Sequence, residues 1–206
     1  MKLAIASDLH LEFGDCEFTN TDNAEVLMLS GDILVVDDLR AWDSANLLGE
    51  GTKSQRWHEF MQRCSNLFPH VIFILGNHEH YHGDITTSYN IIENMLASNQ
   101  LSNVHLLEKE IRVINDVTFI GGTLWTDMNG GDELTLYHMK SMMNDFRVVK
   151  NSNRQFLHQG YSQRVSRFMP EDAAEDFAKM KGYIQAVIER SEEHTSELQS
   201  PDHLVC

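Results

Sequence analysis

The chain has 206 residues, of which 42% are hydrophobic and 23% are charged, a composition typical of one soluble globular domain. Its formal charge of −15 at pH 7 argues against broad, non-specific attraction to nucleic acid or to anionic lipid. No apolar run approaches the ~20 residues of a membrane-spanning helix, and Asp8 and His10 interrupt the only run that resembles a signal peptide. Three scattered cysteines favour a reducing, cytoplasmic location over a disulfide scaffold.

Strands and helices are predicted to alternate in the first hundred residues. Short, continuously apolar runs predict buried strands at residues 2–7, 25–30 and 71–75. Apolar residues at i, i+3 and i+4 spacing predict helices at residues 55–68 and 85–99. The order β–β–α–β–α is typical of an α/β protein.

Shorter strands and helices are predicted in the second half of the chain. Strands are expected at residues 104–107, 110–114 and 117–120, with Asn115 and Asp116 as a two-residue hairpin turn between the last two. A helix is expected at 134–143, and the mixed, polar stretch 146–161 is expected to be a loop or lid. Pro170 and the acids after it predict a helix that runs to about residue 188.

Each of the three apolar strands of the first half is followed by polar side chains of the kind that bind metals. Taken singly, such residues are commonly turn acids, helix caps or surface histidines. Because α/β sheets place their sites at the carboxyl ends of strands, three such strands in order favour one shared site. The motifs are Asp8-Leu9-His10, Gly31-Asp32 and Gly76-Asn77-His78-Glu79.

In this order, the motifs resemble those of the calcineurin-like metallophosphoesterase family, over residues 1 to about 189. The resemblance implies an α/β fold with two mixed β-sheets packed as a sandwich between flanking helices. It also implies a metal centre in which Asp32 bridges two ions and His78 contacts the phosphoryl oxygens and assists the leaving group. Glu79 is expected to orient His78. The metal ligands implied in this chain are Asp8, His10, Asp32 and Asn77.

The reaction implied by the resemblance is hydrolysis of a phosphomonoester, in a small molecule or a phosphoprotein, by a hydroxide that two divalent cations activate. Mixed oxygen and nitrogen ligands suit Mn²⁺, or Fe or Zn²⁺, better than Ca²⁺. Cleavage of nucleic-acid or cyclic-nucleotide phosphodiesters is an alternative, although the acidic charge and the lack of a basic stripe weigh against nucleic acid. A binding scaffold without catalysis is a further alternative.

The end of the chain departs from this pattern. The Gly-His-x-His motif of the family does not occur, and residues 190–200 match the in-frame translation of a widely used sequencing adapter in every codon. We therefore expect a C-terminally incomplete metallophosphoesterase domain at 1–189 and a non-native tail at 190–206. The missing ligands are expected beyond the junction, so the chain as written should bind metal weakly and hydrolyse little.

Four further residues have two interpretations each. His80 and His82 extend the histidine run but are expected at the surface rather than in a metal cluster. Trp125 and Asp127 either line the substrate cleft or serve as a packed indole and a capping acid. The substrate and the oligomeric state are not predicted by any motif, because folds and motifs do not encode specificity loops.

Overall fold

A four-stranded parallel sheet organises the structure. The computed structural model describes residues 1–42, 53–156 and 164–198. The sheet has the strand order β1-β2-β3-β4, and every neighbouring pair is parallel. The predicted apolar runs are confirmed as strands. These strands are β1 (Leu3–Ala6), β2 (Val26–Ser30), β3 (His70–Ile74) and β4 (Val104–Leu106).

Two long helices cover one face of this sheet. These are α1 (Lys53–Leu67) and α2 (Ile85–Ser98), close to their predicted bounds, and short 3-10 turns lie at Val36–Trp42 and His78–His80. Alternate residues of β2 and β3 pack against the apolar stripes of the helices, as the period of two in a strand requires. The core includes Leu27, Leu29, Val71, Phe73, Trp57, Phe60, Met61 and Ile92.

A β-hairpin covers part of the other face. Its strands are β5 (Glu110–Ile114) and β6 (Val117–Gly121), joined at Asn115 and Asp116, whose φ angles of 47° and 63° fit a two-residue hairpin turn. The hairpin residues Ile114 and Phe119 pack with the sheet residues Val26 and Ile72. The α/β class is therefore confirmed, and the hairpin forms a second layer.

The strand pairing and one segment differ from expectation. Each described sheet is purely parallel or purely antiparallel rather than mixed. The loop predicted at 146–161 is wrong over its described part, because α5 (Asp145–Val148) leads into β7 (Lys150–Phe156), which pairs with β8 (Arg164–Arg167). The sequence of β7 is polar and lacks the apolar pattern that predicts a strand. This strand is defined by its backbone pairing with β8 and not by an apolar face. Residues 157–161 of the predicted loop lie outside the described residues.

Three helices complete the second half: α3 (Met128–Gly131), α4 (Glu133–Met142) and α6 (Pro170–Leu198). The last helix continues ten residues past its predicted end at residue 188, because the residues that follow are mostly good helix formers with no glycine or proline before residue 201. A non-native segment can form a helix as readily as a native one, so the helical conformation does not test the origin of residues 190–206. The adapter-derived tail therefore stays a prediction. In the described part of the chain, no helix is long and apolar enough to cross a membrane.

The loops after β1, β2 and β3 meet at the carboxyl edge of the sheet. The N–H groups of Asp8 and His10 donate to the carbonyl oxygens of Gly31 and Asp32 at 3.1 and 3.0 Å, which joins the first loop to the second. Gly31 lies against Gly76 so closely that a Cβ at Gly31 would be 2.8 Å from the Gly76 Cα. Glycine is needed there, because any side chain would separate the second loop from the third.

The carboxylate of Glu79 joins the second and third loops. It is fully buried and, within the described part of the chain, accepts hydrogen bonds only from backbone N–H groups. Charge-assisted bonds of this kind are stronger than neutral ones. The donors are Asp32 at 3.0 Å, Ile33 at 2.7 Å, Leu34 at 3.4 Å and Gly76 at 2.7 Å.

We therefore expect Glu79→Gln to destabilise the fold by about 2–4 kcal/mol, because the amide loses the charge and turns an N–H group toward backbone donors. Urea unfolding at pH 8 measures this change. Glu93→Gln, at an exposed position on α2, is the matched control and should change stability by less than about 0.5 kcal/mol. Equal unfolding midpoints for the two variants would contradict the joining role of Glu79.

Candidate metal centre

Three predicted ligands come together at the carboxyl edge of the sheet. One side-chain ligand atom each from Asp8, His10 and Asp32 lies within 4.8 Å of the other two. All three residues have left-handed backbone conformations, with φ of 55°, 48° and 56°. Such conformations cost about 1–3 kcal/mol each outside glycine and persist where the surrounding structure requires them. Here the hydrogen bonds between the loops impose them, and they direct two carboxylates and an imidazole to one point.

Asp32 occupies the middle of the centre. Its strand, β2, lies between β1 and β3, so Asp32 stands between the Asp8 and His10 loop and the loop that carries Asn77. The backbone N–H of His78 donates to Asp32 Oδ1 at 3.0 Å, which fixes the carboxylate. The predicted ligand set is therefore arranged in strand order along one edge.

Asn77 is oriented by a residue that the sequence did not single out. Its Nδ2 donates to Oδ1 of Asp145 at 2.8 Å. Asp145 begins α5, one residue before the stretch expected to be a loop, and it carries no local motif that could have identified it. Its proximity to Asn77 is visible only in the tertiary structure.

Glu12 is a second residue that sequence analysis missed. Its Oε1 lies 3.1 Å from Nδ1 of His10 and 3.7 Å from Nδ1 of His78, and the two imidazole rings meet edge to face at 4.5 Å. These three residues form a second group with ligand atoms within 4.8 Å of one another. The spacing Asp8-x-His10-x-Glu12 gave no usable signal, because Asp8 and His10 leave the extended conformation that would place alternate residues on one side.

The role predicted for Glu79 is corrected by this geometry. Its carboxylate lies among the backbone N–H groups of the loops, whereas the carboxylate that faces the His78 imidazole belongs to Glu12. Burial raises the pKa of Glu79 to about 7, and the Asp32 carboxylate acts in the same direction against the backbone donors. Glu79 therefore supports the loops and does not orient His78.

The donor set fits a divalent transition-metal cation. Glu12 Oε2 and His78 Nδ1 are buried atoms with no hydrogen-bond partner in the described structure, although both belong to groups that bind cations. Carboxylate oxygens and imidazole nitrogens together suit Mn²⁺, Fe or Zn²⁺. The side chains of His10 and His78 are 25% and 27% exposed, so the centre is open to solvent on one side.

The flanking residues have mainly structural roles. The prediction that His80 lies at the surface is wrong: it is 4% exposed, with its ring stacked 6.4 Å from that of Trp125, and burial lowers its pKa to about 4. His82 is exposed, as predicted. Trp125 packs 4.9 Å from Phe168, and Asp127 accepts from the N–H of Asn129, so both make the contacts of a packed indole and a capping acid, and a place in the substrate cleft stays a prediction.

Two known proteins are similar to this chain, one in fold and one in sequence. The structure of a phosphopantetheinyl hydrolase from Mycobacterium tuberculosis superposes with a TM-score of 0.53 at 15% identity, over 89% of this chain and 63% of that chain. An uncharacterized protein of Acanthamoeba polyphaga mimivirus is 27% identical over 165 residues, which are 72% of this chain and 51% of that protein. The chain thus spans about half the length of this curated relative.

The family comparison covers the whole carboxyl edge of the sheet, where the candidate metal ligands lie. The model of the calcineurin-like phosphoesterases matches residues 1–188, which include every strand of the parallel sheet and all three loops at its carboxyl end. Members of this family are metal-dependent hydrolases of phosphate esters, which agrees with the donor set assembled here. The chain belongs to the calcineurin-like phosphoesterase family.

Proposed function

We propose that this chain provides the metal centre of a hydrolase that cleaves phosphomonoesters, in small molecules or phosphoproteins. The observation that carries the proposal is the convergence of Asp8, His10 and Asp32, whose ligand atoms lie within 4.8 Å of one another on loops joined by hydrogen bonds. The open side of this cluster supports access of a substrate. Among the described residues, Cys16 and Cys64 are free thiols, which supports the further proposal of a reducing, cytoplasmic compartment.

Two cations would be held in strand order. Asp8 and His10 would bind the first, Asn77 would bind the second, and the central position of Asp32 supports its proposed role as the shared carboxylate. When bound, the pair would supply a nucleophilic water at neutral pH and neutralise the charge that develops on the phosphoryl group. Mn²⁺ is the first choice, with Fe or Zn²⁺ as alternatives.

His78 is proposed to act on the leaving group. Its Nδ1 faces the Glu12 carboxylate at 3.7 Å, so Nε2 lies on the opposite side of the ring, away from Glu12. A proton held at Nε2 can pass to the leaving oxygen, while Glu12 stabilises the charged imidazole. The Tyr81 ring stacks on the imidazole at 4.1 Å and limits its rotation.

A monoester is favoured over a nucleic acid on electrostatic grounds. A polyanion would approach a chain of formal charge −15, whereas a small ester presents one phosphoryl group to the cations alone. Phosphodiesterase activity and a scaffold without catalysis are the competing outcomes.

The first test is a Mn²⁺-dependent assay of the full-length gene product with p-nitrophenyl phosphate and bis-p-nitrophenyl phosphate. We expect turnover of the monoester that is lost on chelation and is reduced to background by Asp32→Asn, because the central ligand loses its charge. Asp116→Asn in the hairpin turn is the matched control and should retain full activity, since Asn also adopts the left-handed conformation of that turn. Preference for the diester would support the phosphodiesterase, and no Mn²⁺-dependent turnover of either ester would support the scaffold.

The second test separates proton transfer from metal binding. His78→Asn should lower kcat by about 10²–10⁴-fold, the usual contribution of a general acid, while the Mn²⁺ affinity of the group formed by Asp8, His10 and Asp32, which does not include His78, changes little. His82→Asn is the control, because His82 is exposed and has a φ of 62° that Asn tolerates. Unchanged kcat in His78→Asn, or a loss of equal size in His82→Asn, would contradict the proposed role.

A further inference from the structure

Asp145 has a buried carboxylate that contacts Asn77 and Tyr81, both in the segment after β3. It is 2% exposed at the start of α5. Its Oδ1 accepts from Nδ2 of Asn77 at 2.8 Å, and its Oδ2 accepts from the hydroxyl of Tyr81 at 3.4 Å. Each carboxylate oxygen thus has one donor, and both donors come from the segment that follows β3.

The first contact decides which end of the Asn77 amide faces a cation. An amide binds cations through its oxygen, and its nitrogen is a donor only. Because the Nδ2 of Asn77 donates to Asp145, and lies 3.5 Å from the Tyr81 hydroxyl, Oδ1 is directed away from them. Rotation of the amide by half a turn would place Oδ1 against the Asp145 carboxylate, where two acceptors repel each other. We propose that Asp145 is a positioning residue that keeps the Asn77 oxygen available as a metal ligand.

The second contact, between Asp145 and the Tyr81 hydroxyl, also affects the position of the His78 ring. Tyr81 stacks on the His78 ring at 4.1 Å and 22°, and its hydroxyl is held by Asp145. One carboxylate therefore fixes a metal ligand and the ring that packs on the proposed acid.

The charge of Asp145 also favours a cation at Asn77. No lysine or arginine of the described residues forms an ion pair with Asp145, and Arg147, two residues away, donates to the carbonyl of Ser141 instead. A buried carboxylate without a cationic partner is costly. A divalent cation on the far side of the Asn77 amide would offset that cost.

The helical segment that carries Asp145 is firmly packed. The neighbouring Phe146 is 4% exposed and stacks on Phe168 at 5.8 Å, within a cluster that also contains Tyr81 and Trp125. The position of the carboxylate is therefore set by a core and not by a surface loop. This arrangement makes the metal affinity at Asn77 depend on the docking of the second half of the chain.

The proposal rests on the proposed metal centre, and its test separates the two. Mn²⁺ binding followed by electron paramagnetic resonance should show that Asp145→Asn lowers the affinity of the Asn77 site about 10–100-fold, the usual effect of losing a residue that orients a ligand. Binding at the Asp8 and His10 site should be unchanged. Asp132→Asn is the matched control, because Asp132 caps α4 in the same half of the chain without touching Asn77.

A second readout needs no metal. In ¹⁵N-labelled, metal-free protein, the side-chain amide protons of Asn77 should be protected from exchange in the wild type and in Asp132→Asn, and exposed in Asp145→Ala. Unprotected Asn77 protons in the folded wild type, or unchanged Mn²⁺ affinity in Asp145→Asn, would overturn the proposal. A third outcome separates the two proposals: the wild type binds no Mn²⁺, but the Asn77 amide protons are protected in the wild type and exchange in Asp145→Ala. In that case the proposed metal centre is wrong, while the orientation of the Asn77 amide by Asp145 stands.

Discussion

The hydrogen bonds between the Glu79 carboxylate and the backbone N–H groups of two loops are the constraint on which the site depends. A parallel sheet brings the ends of β1, β2 and β3 to one edge, but it does not fix the loops that leave that edge. Glu79 reaches back from the third loop and holds the second, which is itself paired with the first. The left-handed conformations of Asp8, His10 and Asp32 persist because this network overrides their local cost.

Two further buried carboxylates stand behind the side chains that face the site. Glu12 lies behind His10 and His78, and Asp145 lies behind Asn77. Each of them fixes the orientation of a group with two different ends, an imidazole or an amide. The three carboxylates therefore have different roles: Glu79 binds backbone N–H groups of the loops, whereas Glu12 and Asp145 orient side chains. Their negative charge also makes the edge attractive to cations.

The sequence was sufficient to predict what is locally encoded. Apolar runs that end in Asp8, Asp32 and Asn77 identified three of the parallel strands and predicted the ligands, because both features lie within a few residues of each other. The roles of Glu12 and Asp145 depend on contacts with distant residues, so isolated acids gave no signal. Burial of His80 under Trp125, the direction of the Glu79 carboxylate and the polar strand β7 were mispredicted for the same reason: tertiary packing decides them.

Anomalous X-ray diffraction from crystals of this chain soaked in Mn²⁺ is the most direct test of the central claim, that three joined loops form a metal centre. The account predicts an anomalous peak within coordination distance of Asp8, His10 and Asp32, and a second peak beside Asn77 at higher Mn²⁺ concentration. Peaks confined to other acidic surfaces, with ordered but metal-free side chains at the carboxyl edge of the sheet, would contradict it.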